Sequence, residues 1–228
     1  MAKSFESGIM NGEVTMIVIG GMIGIGKTTT AKTLSEAFSL PVFYESVKDN
    51  KVLPLFYQAD EKELLGKRYP LLLQLSFLSS RFQSIQKAMK FQNAILDRSI
   101  FEDRYFAKCN QKLGRISELE MDVYESLFQT ILDSLREKKA KDDALMIYLK
   151  GSFDTVMKRI QERGRSFETD DSLIDYYRFL YEGYDAVIQE AYQGNHLLVV
   201  DVDQRDINCN LEEKEVFLSE VRERLKTL

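Results

Sequence analysis

An α/β fold built on a parallel sheet is what this chain of 228 residues predicts, and three observations predict it. Short β-branched apolar runs alternate with longer segments of helical apolar spacing, the first run ends in a glycine-rich turn, and later runs end abruptly in charged residues. Uninterrupted apolar runs suit strands buried on both faces, the situation of a parallel sheet wrapped by helices.

The elements follow in order. VTMIVIG (residues 14–20) is continuously apolar and reads as a central strand; TTTAKTLSEAF then carries Ala31, Leu34 and Phe38 close to helical spacing, and LPVFYES is a second strand. Between Val52 and Lys90 the chain is Leu-rich and nearly free of breakers apart from LGKRYP, so helices are expected. NAILDRS (93–99) is a third strand. ELEMDVYESLFQTILDSLREKKAKDD reads as a helix with Leu119, Val123, Leu127, Ile131 and Leu135 on one face, a stripe for the core or a subunit interface, ending in a solvated charge run. ALMIYLKG (144–151) and HLLVVDVD (196–203) complete a five-stranded sheet, separated by FDTVMKRIQERGRSFE and a tyrosine-rich helical stretch. Residues 14–228 are expected to form one domain, and the polar residues 1–13 a loose extension.

Composition narrows the function. With 44% apolar and 29% charged residues the chain has an ordinary globular composition, and its net charge of -5 argues against nucleic-acid binding, so any anion site must be local. Cys109 and Cys209 lie far apart with no metal-type spacing, which fits a reducing cytoplasm rather than a disulfide framework or structural zinc. No apolar stretch approaches the roughly 18 residues that span a bilayer, so no membrane role is expected.

Gly21-Met22-Ile23-Gly24-Ile25-Gly26-Lys27-Thr28 satisfies G-x-x-x-x-G-K-[ST] between a predicted strand and a predicted helix. Glycines let successive N–H groups curl around phosphate oxygens, the helix directs its positive end at them, and Lys27 adds a mobile ammonium. Thr28 can offer its hydroxyl to Mg²⁺. The loop holds a nucleoside triphosphate but leaves open whether its γ-phosphate goes to water, a protein or a small molecule.

In open parallel sheets ligands bind at the carboxyl ends of strands, where Glu45 closes PVFYE and Asp97-Arg98-Ser99 closes NAILDRS. A carboxylate there can take the proton of an attacking hydroxyl; Asp97 can instead orient hydrated Mg²⁺ while Arg98 neutralises charge. DTVMKRIQERGR places Arg159 and Arg163 four apart on one helical face, with Gly164 breaking the helix and Arg165 beyond it. Such an arginine-rich lid delivers guanidinium charge to a transferring phosphoryl group and excludes water.

With these features in place the chain resembles the deoxyribonucleoside kinases, and most the bacterial deoxyadenosine and deoxyguanosine kinase branch. The likeness spans residues 14–228 and rests on the phosphate loop, Glu45, LLLQLSFLSSRF with Gln74 and Arg81, DRSIFEDRYF with Asp97, Arg98 and Asp103, and RIQERGRSFE. It implies a P-loop kinase fold, a homodimer, ATP as donor with Mg²⁺, and a deoxypurine acceptor, deoxyadenosine ahead of deoxyguanosine, with deoxycytidine possible. By the same likeness Glu45 receives the 5′-hydroxyl proton, Arg98 holds that hydroxyl's surroundings, and Thr28 and Asp97 place Mg²⁺. Tyr57 and Glu168 grip the sugar 3′-hydroxyl, and Gln74 pairs with the base edge. The donor is held by residues 21–29, including Thr29, by Arg159 and Arg163, and by Asp203, Gln204 and Arg205 of the last strand's loop, largely through backbone. Arg81 and Asp103 stand where thymidine-restricted members resemble Met and Ala.

The chain departs from the pattern in places. Base-sandwiching aromatics are replaced by Leu73 and Ala107, leaving Phe77, Phe101 and Phe106 as candidate stacking partners; Phe167 replaces a lid glutamate, leaving Glu168, and Ser46 replaces a proline. Two competing readings share the loop. A nucleoside monophosphate kinase of the thymidylate kinase type would also carry an arginine lid, and a regulatory ATPase would need neither; the set Gln74, Arg81 and Asp103 disfavours both.

Overall fold

The computed structural model describes residues 15–45, 47, 49–136 and 144–228; the expected extension at 1–13, Ser46 and most of the charge run after the long helix lie outside them. Strand β1 (Thr15–Gly21) lies at the centre of a five-stranded sheet. Helix α1 (Lys27–Phe38) follows, then β2 (Val42–Phe43), α2 (Val52–Gln58), α3 (Glu61–Gly66) and α4 (Tyr69–Ala88). Strand β3 (Asn93–Asp97) leads into α5 (Ile100–Lys112) and α6 (Glu118–Arg136). Strand β4 (Ala144–Lys150), α7 (Phe153–Arg163), α8 (Ile174–Ala191), β5 (Leu197–Asp201) and α9 (Leu211–Lys226) complete the chain.

All pairings are parallel, in the order β2-β3-β1-β4-β5, with Val18 opposite Leu96 on one side and Met146 on the other. This order sets the site. With β1 between β3 and β4, the turn after Gly21 and the Asp97-Arg98 pair emerge side by side at one sheet edge. Ile17, Ile19, Ile95, Leu145 and Ile147 are fully buried, as continuous apolar strands require. Strand β2 is shorter than its apolar run because it is an edge strand preceded by Pro41, whose carbonyl accepts from Ile95 at 2.9 Å.

Helix α1 begins without a side-chain cap or an acidic residue in its first turn, and Gly26 before it takes φ 113°, a left-handed conformation that glycine allows at little cost. Its first N–H groups are therefore left to an anion. Helix α5 is built the opposite way: Ser99 and Glu102 form a reciprocal capping box. Helix α7 starts on Ser152 and stops at Gly164, which takes φ 64°. The apolar stripe of α6 divides: Ile131 and Leu135 enter the core, while Leu119, Val123 and Leu127 remain exposed. Among the described residues no helix is long and apolar enough to cross a membrane.

Helices α5 and α8 pack together behind the cleft, where the Tyr105 hydroxyl donates to the Leu180 carbonyl at 2.7 Å. A Cβ on Gly183 would stand 2.5 Å from that hydroxyl. Gly183→Ala must therefore push the helices apart or break the Tyr105 bond, and is expected to lower stability by about 1–3 kcal/mol, measured by denaturant unfolding.

Candidate active site

The turn after β1 forms one wall of a cleft of about 1350 Å³, large enough for two ligands end to end. Ile23, Gly24, Gly26, Lys27, Thr28 and Thr29 line it. Gly24 takes φ 81° and lies under the lid helix, so close that a Cβ there would meet Ile160 at 2.8 Å. Lys27 donates to the carbonyls of Gly21 at 2.8 Å and Met22 at 2.9 Å. Burial, with the charge of Arg98 beside it, pulls the Lys27 ammonium down to about 7. Not every residue of the motif faces the cleft. Met22 and Ile25 pack into the core, and the Gly21 N–H is taken by Glu102 at 3.0 Å, so these three shape the loop from behind.

Opposite the loop, one oxygen of Glu45 accepts from Arg98 Nε at 2.9 Å and from Arg81 at 3.1 Å. Burial works to raise the Glu45 carboxyl, but the charges of Arg98, Arg81 and Lys27 outweigh it and hold the group at about 2. Arg81, on α4, also grips Asp103 of α5 at 2.9 Å and the Asp97 carbonyl at 2.5 Å. Arg98 takes φ 85°, uncommon for a residue with a side chain, while its own N–H continues the sheet by donating to Ile19 at 2.9 Å. Its guanidinium lies 5.0 Å from the ring centre of Phe106 and donates to the Tyr184 hydroxyl at 2.7 Å.

Asp97 accepts from the Thr28 hydroxyl at 2.7 Å through one oxygen, and its other oxygen is buried without a partner. Burial is also what raises its carboxyl above the usual range. An orphaned, desolvated carboxylate oxygen beside a threonine hydroxyl fits a hard divalent cation. Among the described residues no group of three or more His, Cys, Asp or Glu side chains is gathered that could hold a metal ion by itself.

Deeper in the cleft, Gln74 is buried with its amide oxygen unpartnered, an acceptor waiting for a ligand donor. Leu73, Phe77 and Phe106 line the cleft around it, whereas Phe101 packs against Phe128 and Tyr192 elsewhere and Ala107 is buried in the core. Tyr57 stacks on Phe167 with ring centres 5.8 Å apart, beside Glu168. Glu168 pairs with Arg163 and, at 3.2 Å, with Arg165; Arg159 donates to the Ile25 carbonyl of the loop. All three lid arginines line the cleft.

The loop after β5 differs from expectation. Asp203 accepts from the Ser152 N–H at 2.7 Å at the start of α7, Arg205 pairs with Glu220 of α9 at 2.8 Å, and neither they nor Gln204 line the cleft. Val202, Asp206, Asn208 and Cys209 do so instead. Nothing in local spacing distinguishes these positions, because the partner that turns Arg205 away lies on a helix still to come. Glu102 and Tyr184, buried behind Arg98, were also outside the sequence reading, although the S-x-x-E cap is visible at Ser99.

The sequence profile described as deoxynucleoside kinase matches residues 17–226. The chain belongs to the deoxynucleoside kinase family. This kinase is 38% identical to a deoxyguanosine kinase of Lactobacillus acidophilus over 93% of its own length and 92% of the relative's. It is 35% identical to a deoxyadenosine kinase of the same organism over 94% and 98%. The solved structure of deoxyadenosine kinase from M. mycoides with bound dATP superposes with a TM-score of 0.72 at 25% identity, covering 90% of this chain and 98% of that one. As a member of the family the enzyme is a phosphotransferase acting on deoxynucleosides.

The kinase's Arg81–Asp103 pair is almost inaccessible, with 3% exposure on each side chain, so removing one partner strands a buried charge. Asp103→Ala is expected to cost about 3–5 kcal/mol in thermal or denaturant unfolding, and Arg81→Met with Asp103→Ala to be more stable than Asp103→Ala alone.

Proposed function

We propose that this kinase transfers the γ-phosphoryl group of ATP to the 5′-hydroxyl of a deoxypurine nucleoside. The observation that carries the reading is the placement of Glu45: a carboxylate fixed by Arg98 and Arg81 in the same cleft as the phosphate loop and the unpartnered Gln74 amide. Purine choice is supported by the Gln74, Arg81 and Asp103 set and by relatives named both deoxyguanosine kinase and deoxyadenosine kinase.

In this mechanism Glu45 orients the 5′-hydroxyl and takes its proton as the P–O bond forms. The charges of Arg98, Arg81 and Lys27 hold the group below the usual carboxylate range, so it stands ionised when the hydroxyl arrives. Arg98 and Arg81 fix the carboxylate's direction. Lys27 and the free N–H groups at the start of α1 hold the phosphates, while Arg159, Arg163 and Arg165 bring positive charge over the transferring group and keep water out. Thr28 and Asp97 would hold Mg²⁺, which when bound supplies charge neutralisation between the phosphate oxygens. Gln74 meets the base edge between Leu73, Phe77 and Phe106, and Tyr57 and Glu168 meet the sugar 3′-hydroxyl. The donor's base rests against Val202, Asp206, Asn208 and Cys209.

The exposed side chains of Leu119, Val123 and Leu127 form the open part of the α6 stripe, and a second copy of the chain is the occupant we assign to it. Light scattering is expected to give twice the chain mass.

Labelled ATP offered with each of the four deoxynucleosides tests the reading. Deoxyadenosine and deoxyguanosine should give monophosphate faster than thymidine; phosphorylation of dTMP or dAMP in preference, or ATP loss without any phosphorylated nucleoside, would replace it with a monophosphate kinase or a regulatory ATPase. Glu45→Gln is expected to lower kcat by about 10²- to 10⁴-fold while ATP binding stays within a few-fold, and unchanged turnover would remove the base assignment.

A further inference from the structure

We propose that Glu102, acting with Tyr184, is a positioning residue that keeps Arg98 seated while Glu45 is neutralised, and that ties the same arginine to the entry of the phosphate loop. The proposal rests on the roles given above to Glu45 and Arg98.

Glu102 has no solvent exposure. A carboxylate so placed is tolerated only when its lone pairs are occupied. One oxygen accepts the Ser99 N–H at 2.7 Å, and this bond is the whole of what the helix cap requires. The other oxygen is not needed for capping. It accepts the Gly21 N–H at 3.0 Å and the Tyr184 hydroxyl at 2.5 Å, and lies 3.4 Å from Arg98. Tyr184 comes from α8, 82 residues away in sequence, and its hydroxyl receives the 2.7 Å bond from Arg98. A phenol has a single proton, which goes to the nearer acceptor Glu102 rather than to the Gly21 carbonyl at 3.0 Å. Burial raises the Tyr184 phenol well above its ordinary range, so it remains a donor throughout.

The Arg98 guanidinium is therefore held from two sides: Nε by Glu45 at 2.9 Å, and the terminal nitrogen by Tyr184 and Glu102, with Phe106 against its face. These two anchors behave differently during turnover. Glu45 faces the cleft and loses its charge when it takes the substrate proton, which weakens its hold on Arg98 at the moment when the transferring group most needs a fixed cation. Glu102 is sealed from solvent and does not line the cleft, so it takes no part in the proton transfer. It also holds Gly21, whose carbonyl anchors Lys27 at 2.8 Å, so the cations serving the donor and the acceptor share one reference point.

Tyr184→Phe is the main test, because the ring keeps its packing against Tyr148 and Tyr105 and only the hydroxyl is lost. With ATP and deoxyadenosine or deoxyguanosine, kcat is expected to fall on the order of 10- to 100-fold while both KM values stay within about two-fold, as misplacement of a transition-state cation requires. Glu102→Gln should lower kcat at least as far, and the double variant no further, since both belong to one device. Wild-type kcat in Tyr184→Phe, or a change confined to KM or to thermal stability, overturns the proposal. If Glu102→Gln does not fold, the split between kcat and KM in Tyr184→Phe decides alone. Glu45→Gln in the same assay separates the two levels: loss of turnover there with none in Tyr184→Phe defeats only the positioning role, whereas full turnover in Glu45→Gln removes the base assignment and this proposal with it.

Discussion

A single carboxylate oxygen of Glu45, shared by the buried guanidiniums of Arg81 and Arg98, is the constraint around which the cleft is arranged. Two arginines this close repel each other, and each has left water, so the pair persists only because acidic groups surround it. Asp103 answers Arg81, Glu102 and Tyr184 answer Arg98, and Glu45 bridges both. These groups come from the end of β2, from α4, from the end of β3, from α5 and from α8, so local charge balance ties together elements spread over most of the chain. The helices are held in register behind the site partly by this balance and partly by packing of the kind seen at Tyr105 and Gly183.

The same arithmetic separates the two halves of the cleft. The phosphate half is rich in donors: free N–H groups at the start of α1, Lys27 and three lid arginines. Asp97 there has one oxygen unpartnered, Glu162 and Asp206 also line the cleft, and Glu168 pairs with Arg163 and Arg165. Gly164 ends α7 between Arg163 and Arg165, so one arginine is fixed to the helix and the other to the loop that follows it. Elsewhere the cleft is lined by Leu73, Phe77 and Phe106 together with Gln74, whose amide oxygen is unpartnered. Specificity in such a site comes from a few polar groups that lose water in the absence of the correct partner.

Much of this arrangement was legible in the chain, for identifiable reasons. The phosphate loop, the strand-end groups Glu45, Asp97 and Arg98, and the arginines flanking Gly164 are local patterns whose chemistry depends on neighbours a few residues away, and the structure brings them to one cleft. The inner strands β1, β3 and β4 were readable because burial on both faces imposes continuous apolar runs, and the partly buried edge strands β2 and β5 carry short apolar runs of the same kind. Other features had no local signature. The α6 stripe is evenly spaced, yet three of its five residues face outward, because which turns of a helix meet the core depends on where neighbouring helices stop. Phe77 and Phe106 reach the cleft while Phe101 does not, a difference of helix phase that composition does not carry.

By itself, then, the sequence determined the fold class, the anion cradle and the inventory of charged groups, since these follow from periodicity and from residue types at short spacing. Only the tertiary structure decided how those charges are partnered: Arg205 turned to Glu220 and away from the cleft, Glu102 inserted between Gly21 and Arg98, and Tyr184 closing the network from a distant helix. The reason is electrostatic. A buried charge is set by whatever surrounds it within a few ångströms, and in this enzyme those surroundings are assembled from segments that lie far apart in the chain.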